Sequence, residues 1–386
     1  MSNADGSQHA WLGLLKWSLA YCDGTRPSSA TTEMKKEDLE FLKKVMEEGI
    51  INEGDRMKSI LQEITGMFKK KASDTLPVIE ARLVRSPYLS SPDSIQCHLE
   101  VGEPEEKRKE FDEDELLDVF QELRDIVEQI DYARAFMSLG GIPFLLGIAT
   151  YHASNAGKTI PVPIKKAALG TMATMSQNNP PVQLKLLELG HLPQLIQLFF
   201  DYSPGNDLGN EPDDSMREKC VQAISASIRG HAMGEICFCK NELGLLMLKI
   251  GIGMQSKNSS KPGAQLRKRC MFLLRALLTA DDVSDERHEL FRDVISFICT
   301  HEVDDRFEDD SEIREISLAT LTQLLRHPIA KKGSDIVLAH KIQLGSVGVP
   351  RVQAIGELHG EDKEFAELEL DEWQQLMVAL AGGCNA

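Results

Sequence analysis

A helical segment of fourteen residues recurs four times in this chain at a nearly constant spacing. The copies begin at Lys165, Arg217, Arg267 and Arg314, which are 52, 50 and 47 residues apart. In each copy the fifth, eighth and eleventh positions are mostly apolar, and this spacing places them along one stripe of an α-helix. A fixed period of this length is typical of stacked helical repeats, because each unit must bury its apolar stripe against its neighbours.

The stripe continues through all four copies and into a weaker fifth one. In order, its residues are Leu169, Met172 and Met175; Val221, Ile224 and Ser227; Met271, Leu274 and Leu277; and Leu318, Leu321 and Leu324. The weaker copy begins near Leu116 and supplies Phe120, Leu123 and Ile126. Basic or polar residues occupy positions 1 to 3 and 13 of the copies, and we expect them to lie away from the buried stripe.

Glycine-containing turns, each followed by a second apolar helix, lie between these segments. Residues 140–146, 190–196 and 243–248 combine glycine with apolar runs. Glycine ends a helix by adopting a left-handed conformation, and proline suits the first turn of the next helix. Strand-like alternation is absent from the sequence. We therefore predict an all-α fold, an armadillo-like right-handed superhelix of stacked helical repeats with flanking helices.

The pattern also divides the chain into regions. Residues 72–112 contain four prolines and charged or serine-rich runs without a sustained period, which indicates a flexible insertion. The predicted regions are 1–27, a flexible amino-terminal segment with a short apolar helix; 28–71, a helical amino-terminal region; 72–112, the insertion; 113–335, the armadillo-like repeat domain; and 336–386, a carboxy-terminal helical extension.

Composition excludes several classes of function. The 386 residues include 43 Lys and Arg against 60 Asp and Glu, and the net charge of −17 disfavours broad contact with nucleic-acid phosphates. No apolar run reaches the roughly 18 residues of a membrane span. The eight cysteines are scattered, several within apolar helical stretches, which indicates reduced thiols. We expect a cytoplasmic monomer that binds neither nucleic acid nor a membrane.

No motif in the chain carries catalytic or metal-binding chemistry. Gly157-Lys158-Thr159 resembles the tail of a phosphate-binding loop, but His152 occupies the place of the required earlier glycine. His231, Cys237 and Cys239 lack the spacing of a zinc site. No nucleophile elbow or metalloprotease helix occurs. The sequence therefore predicts a protein that is not an enzyme and that uses no cofactor and no metal.

Several segments together resemble one protein family. Residues 14–20 with 23–27, residues 127–133 followed by 139–141, and Gln177-Asn178-Asn179-Pro180 are similar to signatures of the Fes-type, or heat-shock-protein-binding-protein, family of armadillo nucleotide exchange factors. With residues 223–229, the resemblance covers roughly residues 11–66 and 115–330. The combination of these segments in order is more specific than any one of them.

The resemblance implies a function as well as a fold. It implies that the concave face of the array binds lobe II of the nucleotide-binding domain of a 70-kDa heat-shock chaperone and promotes ADP release, while the chaperone performs the ATP chemistry. It also implies that the amino-terminal segment displaces polypeptide substrate from the chaperone. The apolar residues of that segment are Trp11, Leu14, Leu15 and Trp17.

The third helix of each repeat lines the concave face, so positions 3, 6, 10 and 13 of the aligned segments point out of the core. The partner-binding residues predicted from these positions and from the resemblance are Ala133, Arg134, Gln177, Asn178, Lys219, Gln222, Arg229, Arg269, Phe272, Gln323 and Arg326. The resemblance favours Ala133 and Arg269 most. Arg134 departs from the asparagine usual in the family, which puts that local contact in doubt.

An alternative function is an armadillo adaptor or scaffold that binds peptides. Such arrays usually carry Trp at position 6 and Asn at position 10 of the third helix. Here the corresponding pairs are Gly170 and Thr174, Gln222 and Ala226, Phe272 and Ala276, and Ala319 and Gln323. The missing ladder weakens this alternative. A scaffold that binds the chaperone without affecting its nucleotide also fits the sequence.

Overall fold

The computed structural model describes residues 53–71, 113–151, 160–206, 210–254 and 261–382. The chain divides into two compact units, residues 1–60 and 61–386, and every helix from residue 113 onward belongs to the second. The predicted amino-terminal segment and the predicted insertion lie outside the described residues. The substrate-displacing role of Trp11, Leu14, Leu15 and Trp17 therefore stays a prediction.

All regular structure in the described residues is helical. The α-helices are α1 Glu53–Lys71, α2 Glu113–Val127, α3 Ile130–Ser138, α4 Gly141–Thr150, α5 Val162–Ser176, α6 Pro180–Glu188, α7 His191–Asp201, α8 Asp214–Ile228, α9 Ala232–Cys239, α10 Glu242–Gly251, α11 Ala264–Leu278, α12 Asp285–Leu290, α13 Arg292–Phe297, α14 Ser311–Arg326, α15 Lys332–Ala339, α16 Lys341–Gly356 and α17 Glu361–Gly382. A π-helical turn, Ile298–Glu302, continues α13.

From α3 onward the described helices group into five repeats of three helices. In each repeat the third helix packs against the third helix of the next, so α2, α5, α8, α11, α14 and α17 form one continuous layer. The first two helices of each repeat connect successive members of that layer. The described residues therefore form an all-α, armadillo-like array, which confirms the fold class predicted from the repeated stripe.

The predicted stripe forms the core of this array. Every stripe residue of the four aligned copies is buried, including Ser227, whose hydroxyl donates to the carbonyl oxygen of Ile224 at 2.8 Å. In the weaker copy on α2, Phe120 and Leu123 are buried and Ile126 is partly exposed. Burial of aliphatic side chains along one line of each third helix is the main stabilising contribution to the stacking.

Glycine is required at two of the turns between helices. Gly140 and Gly190 have φ angles of 83° and 65°, in the left-handed region that other residues avoid. The neighbouring Gly141 lies so close to Phe136 that an added Cβ would overlap the phenyl ring. These two turns join the first and second helices of their repeats, as the sequence predicted. The third predicted glycine turn is wrong, because Gly244 lies inside α10 and Asn241 caps that helix.

Position 1 of the repeated segment lies in the core, contrary to the sequence prediction. Lys165, Arg217, Arg267 and Arg314 are 5%, 2%, 5% and 5% exposed, respectively. Position 1 precedes position 5 by four residues, about one helical turn, so it lies on the same face as the stripe. The aliphatic stems extend the apolar stripe, and the charged ends must find partners inside the protein.

The first two of these buried cations bind groups within their own region of the array. The Lys165 ammonium group donates to the carbonyl oxygen of Tyr151 at 2.8 Å. The Arg217 guanidinium group donates to Asp214 Oδ1 at 2.6 Å and lies 4.5 Å from the ring centroid of Phe199. Each cation therefore exchanges water for a carbonyl, a carboxylate or an aromatic face.

The last two buried cations bind carboxylates that come much later in the chain. Arg267 Nη2 donates to Glu308 Oε1 at 2.8 Å, and Arg314 Nη2 donates to Glu369 Oε2 at 2.6 Å. Arg314 also donates to the main-chain oxygen of Glu308 at 2.8 Å, and Arg351 donates to Glu369 Oε1 at 2.8 Å. These bonds join α11 to the loop before α14, and α14 to α17.

The carboxy-terminal helices continue the array to Gly382. The boundary that the sequence prediction drew between residues 335 and 336 falls inside α15. Helix α17 packs along α14, and its Trp373 is fully buried. Gly348 on α16 admits the indole closely, because an added Cβ there would lie 2.7 Å from Trp373 Cζ3. Helices α15 to α17 thus form a fifth repeat.

Within the described ranges, no single helix has both the length and the apolar content to cross a bilayer. Helices α3 and α4 meet those criteria only when taken together, and they are bent by 81° at their junction.

Replacing Arg267 by alanine tests the buried cations. We expect Arg267→Ala to lower the free energy of unfolding by at least about 2 kcal/mol, because it leaves an unfilled space in the core and removes one of the two cations paired with the buried Glu308, the other being Lys261. Arg269→Ala is the matched control on the same helix, since this exposed arginine should contribute less than about 1 kcal/mol. Urea denaturation followed by circular dichroism measures both. Equal losses in the two variants would contradict a special role for position 1.

Glu302, in the π-helical turn, is a buried carboxyl group. Its Oε2 atom has no hydrogen-bond partner, and Glu308 lies near it. Burial, reinforced by the negative charge of Glu308, raises the pKa of Glu302 to about 8, while Lys261 and Arg267 act in the opposite direction. The folded protein therefore holds a proton on this group at pH values where the unfolded chain has released it.

Stability should therefore fall as the pH rises from about 4.5 to about 8, because ionising Glu302 is harder in the folded state. Glu302→Gln removes this contribution, so the variant should gain stability relative to the wild type with increasing pH, by at most about 1.4 kcal/mol per pH unit. Urea midpoints at pH 5.5 and pH 8 measure the effect. The exposed Glu211→Gln variant should follow the wild type, and a Glu302→Gln variant that does so as well would refute the assignment.

Candidate functional site: the third-helix face

The third-helix face consists of positions 3, 6, 10 and 13 of the aligned segments on α5, α8, α11 and α14. Gly170, Ile316 and Ala319 among them are buried, contrary to the prediction that all these positions point out of the core. Of the predicted partner-binding residues, Gln177, Arg229, Arg269, Phe272, Gln323 and Arg326 are exposed there, and Lys219 and Gln222 are partly exposed. All eight side chains are therefore accessible to a partner. Phe272 is 47% exposed, which is unusual for a large aromatic side chain and places an apolar group beside the cations.

Ala133 and Arg134 lie on α3, the first helix of the first repeat, and not on a third helix. Ala133 is only 1% exposed and faces the core on the same side of the helix as Phe136. Its methyl group offers a partner no surface, which corrects the prediction that Ala133 binds one. Arg134 is exposed, and its Nε donates to Asn179 Oδ1 of the next repeat at 3.3 Å.

The Gln177-Asn178-Asn179-Pro180 segment makes the turn between α5 and α6. Asn178 has a φ of 53°, the left-handed conformation that asparagine tolerates better than most residues. Asn179 is buried, and its amide donates to the carbonyl oxygen of Met175 at 3.2 Å. The motif therefore has a structural function, which is to reverse the chain and to leave Gln177 and Asn178 exposed.

Gln183, which the sequence reasoning did not single out, ties the second repeat together. This residue of α6 is 1% exposed, and its amide donates to the carbonyl oxygens of Ala226 and Arg229 at 3.0 and 3.2 Å. These oxygens lie at the carboxyl end of α8, where main-chain acceptors lack helical partners. Gln183 thus fixes the position from which Arg229 projects.

Four cations come together on the first half of the face. Desolvation of the Lys219 ammonium group lowers its pKa, and the positive charges of Arg124, Arg269 and Lys166 lower it further, against the effect of Glu218. We call Arg124, Lys166, Lys219 and Arg269 the basic cluster. The sequence pointed to Lys219 and Arg269, but Arg124 and Lys166 join them only because α2, α5, α8 and α11 are neighbours.

The two predicted members of the basic cluster are held by neighbouring polar groups. Arg269 Nε donates to Glu218 Oε1 at 3.3 Å, which links α11 to α8. Lys219 Nζ donates to Gln222 Oε1 at 3.1 Å, within α8. The negative charge of Glu218 also raises the pKa of Lys219, so it offsets part of the positive charge of both cations.

The other two members are oriented in the same way. Arg124 Nε donates to the hydroxyl of Thr174 at 3.0 Å, and Lys166 lies 2.8 Å from Asp213 Oδ2. Each bond crosses from one third helix to the region of the next. The cluster is therefore pre-positioned by contacts between repeats.

The second half of the face contains a cleft of about 380 Å³ between α11, α14 and α17, which we call the Arg275 cleft. Its lining includes Gln323 and Arg326, both predicted from the sequence, together with Arg275, Thr322, Glu372 and Gln375. Arg275 Nε donates to Gln323 Oε1 at 3.2 Å, and Arg326 Nη2 lies 3.4 Å from the carbonyl oxygen of Gln375. The Arg275 cleft shares no residue with the basic cluster.

The histidine and cysteine residues weighed as a zinc site have other structural surroundings. His231 caps α9, since its Nδ1 accepts from the Gly234 N–H at 3.1 Å. Burial raises the pKa of Cys239 to about 11, which disfavours a thiolate. No group of three or more His, Cys, Asp and Glu side chains lies close enough to hold a metal ion in the part of the chain that the structure describes.

Comparison with family models and with curated proteins gives no match. Solved structures are similar at low sequence identity. A designed armadillo repeat protein in complex with the peptide (KR)4 is 15% identical, covers 70% of this chain and 94% of its own, and has a TM-score of 0.48. The armadillo repeats only protein of Plasmodium falciparum is 14% identical, covers 75% of this chain and 98% of its own, and has a TM-score of 0.37.

The turn at Asn178 gives a prediction about conformation. Asn178→Gly should leave stability nearly unchanged, whereas Asn178→Val should cost about 1–2 kcal/mol, because a β-branched residue resists a positive φ. Gln177→Val is the control, since the preceding residue has an ordinary φ of −63°. Thermal melting of the three variants measures the difference. If valine is tolerated equally at both positions, the left-handed turn is not a constraint.

Proposed function

We propose that this protein is a nucleotide exchange factor that binds a 70-kDa heat-shock chaperone through the third-helix face and promotes ADP release. The basic cluster is the observation that carries the binding part of this proposal. A chain with a net charge of −17 places Arg124, Lys166, Lys219 and Arg269 together on one surface. The four positive charges repel one another, so an acidic partner surface would stabilise the cluster.

The cluster also has the chemistry of a protein interface. Guanidinium groups bind carboxylates in a bidentate manner, and arginine is enriched among the residues that dominate binding energy. The exposed ring of Phe272 lies on the same helix as Arg269, three residues later. An aromatic side chain beside arginine is typical of the centre of an interface.

The identity of the partner and the effect on nucleotide rest on the resemblance to the exchange-factor family. One of the segments that carry that resemblance, Gln177-Asn178-Asn179-Pro180, forms a turn in which Asn178 is left-handed and Asn179 bonds to the main chain. In this proposal the chaperone performs the ATP chemistry, and this protein acts in the cytoplasm as a monomer without a cofactor.

A peptide-binding adaptor is the competing function. The third-helix face lacks the Trp and Asn ladder that holds an extended peptide, and Phe272 is the aromatic residue at position 6 of the aligned copies. The basic cluster would favour acidic peptides and repel basic ones. Binding of a short acidic peptide without any effect on chaperone nucleotide would support the adaptor.

The exchange activity predicts faster release of a fluorescent ADP analogue from the chaperone. We expect the intact protein to accelerate release, and the Lys219→Glu/Arg269→Glu double variant to require at least about tenfold more protein for half-maximal acceleration, because two attractive contacts become repulsive. The requirement should also rise with salt, since partly exposed charges are screened. Stopped-flow fluorescence measures the rate at several ionic strengths.

Arg292→Glu is the matched control for charge reversal. Arg292 is 48% exposed and binds Glu289, much as Arg269 is 45% exposed and binds Glu218. However, Arg292 lies on α13, the second helix of its repeat, and so outside the third-helix face. This variant should accelerate release like the wild type. Absence of acceleration by the intact protein would overturn the proposed exchange function. Full activity of the double variant would instead remove the basic cluster from the binding site.

A further inference from the structure

Lys219 differs from the lysines on the neighbouring third helices in what surrounds its ammonium group. Lys166 and Lys268 lie 2.8 and 2.6 Å from a carboxylate oxygen, which stabilises their positive charge. Lys219 forms no ion pair with any residue that the structure describes, and the adjacent carboxylate, Glu218, binds Arg269 instead. The proton on Lys219 therefore lacks the stabilisation that its neighbours receive.

A neutral acceptor takes the place of a carboxylate at Lys219. The Nζ atom donates to Gln222 Oε1 at 3.1 Å, one turn later on α8. An amide oxygen stabilises an ammonium group less than a carboxylate does, and it also accepts an N–H from a neutral amine. This bond therefore orients Nζ and leaves the lone pair of the deprotonated amine available for reaction.

The rest of the basic cluster disfavours the charged amine and attracts anions. Burial lowers the pKa of the Lys219 ammonium group, and Arg124, Arg269 and Lys166 lower it further, against the effect of Glu218. Within the described ranges, Arg124 and Arg269 use only Nε for a bond, so their terminal N–H groups are open to a ligand. Guanidinium groups bind phosphate oxygens in a bidentate manner. An amine that deprotonates readily and an anion-binding surface thus lie side by side.

We propose that Lys219 is a modification site at which an acyl phosphate acylates the lysine side chain. The phosphate group of the donor binds the guanidinium groups, which brings its carbonyl carbon to the amine. The ammonium group first releases one proton to solvent. The neutral amine then attacks the carbonyl carbon, a C–N bond forms and the acyl C–O bond breaks, while phosphate leaves with the electron pair and takes the second proton.

The product is an uncharged amide, so the modification removes one of the four positive charges of the basic cluster. An acidic partner surface then loses an attractive contact. This regulatory consequence rests on the proposed function, whereas the acylation itself requires no chaperone. The two are therefore tested separately.

Incubation of the full chain with acetyl phosphate, followed by mass spectrometry of its peptides, tests the acylation. Lys240 is the matched control, because it also forms no ion pair among the described residues and is more exposed than Lys219. We expect Lys219 to be acetylated at least about fivefold faster than Lys240. The neutral donor N-hydroxysuccinimide acetate should lower this ratio at least about threefold, since it lacks the phosphate group that binds the cluster.

Arg269→Gln tests the contribution of the cluster. The substitution removes a phosphate-binding group and leaves Glu218 available to pair with Lys219, so acetylation of Lys219 should slow at least about fivefold. Arg292→Gln releases Glu289 in the same way on α13 and should leave the rate at Lys219 unchanged. The rate at Lys240 serves as the internal reference in both variants.

Several results would overturn the proposal. Acetylation of Lys219 no faster than that of Lys240 would show that the amine has no special reactivity. An equal ratio with the charged and the neutral donor would show that the cluster does not bind the phosphate group. A rate at Lys219 that inorganic phosphate does not slow, or that Arg269→Gln does not change, would lead to the same conclusion.

The stopped-flow exchange assay tests the regulatory consequence. Wild-type protein acetylated at Lys219 should require at least about threefold more protein for half-maximal ADP release. The same treatment should not change the requirement of the Lys219→Arg variant. Unchanged activity of the acetylated wild type would overturn the regulatory role. Inactivity of the untreated protein would overturn the exchange proposal, while the ratio of Lys219 to Lys240 would still decide the acylation.

Discussion

Stacking of the third helices buries their apolar stripe, and it carries the cation at position 1 of each aligned copy into the core as well. Removing such a charge from water costs several kcal/mol. A repeat that buries its stripe must therefore also provide a polar partner for the cation. Arg267 meets Glu308 only when the loop before α14 is in place, and Arg314 meets Glu369 only when α17 is packed. The third and fourth repeats are thus each completed by a carboxylate of the next repeat.

The same contacts determine what the third-helix face presents. Once adjacent third helices are held in one register, residues at positions 2 and 3 of neighbouring repeats come within reach of each other, as Arg269 and Glu218 do. The basic cluster and the Arg275 cleft are therefore consequences of the stacking. Because their side chains project from regular helices whose positions are fixed by buried bonds, a partner meets a pre-organised surface and loses less conformational entropy on binding.

The repeated stripe was sufficient to predict the third helices and their stacking, because periodicity reports which face of a helix is buried. It was insufficient for Lys165, Arg217, Arg267 and Arg314, whose charge suggested solvent. Arg267 and Arg314 bind carboxylates far along the chain, 41 residues away at Glu308 and 55 residues away at Glu369. No local pattern identifies such a partner. The burial of Ala133 was missed for a related reason, since the resemblance transferred a position without its packing.

Some residues of the candidate site could be predicted from the repeated segment alone, and others join it only through packing between helices. Lys219 and Arg269 follow from their positions in the segment, but Arg124 joins them because α2 adds one more helix to the layer, although its copy of the segment is weak. The Arg275 cleft could not be predicted, because its wall includes Glu372 and Gln375 of α17, in a region that the sequence assigned to a separate extension. In a repeat array a helix contributes little to a site alone. The neighbouring helices determine which of its side chains are buried, paired or available. Binding surfaces in this fold are therefore formed where adjacent repeats pack together.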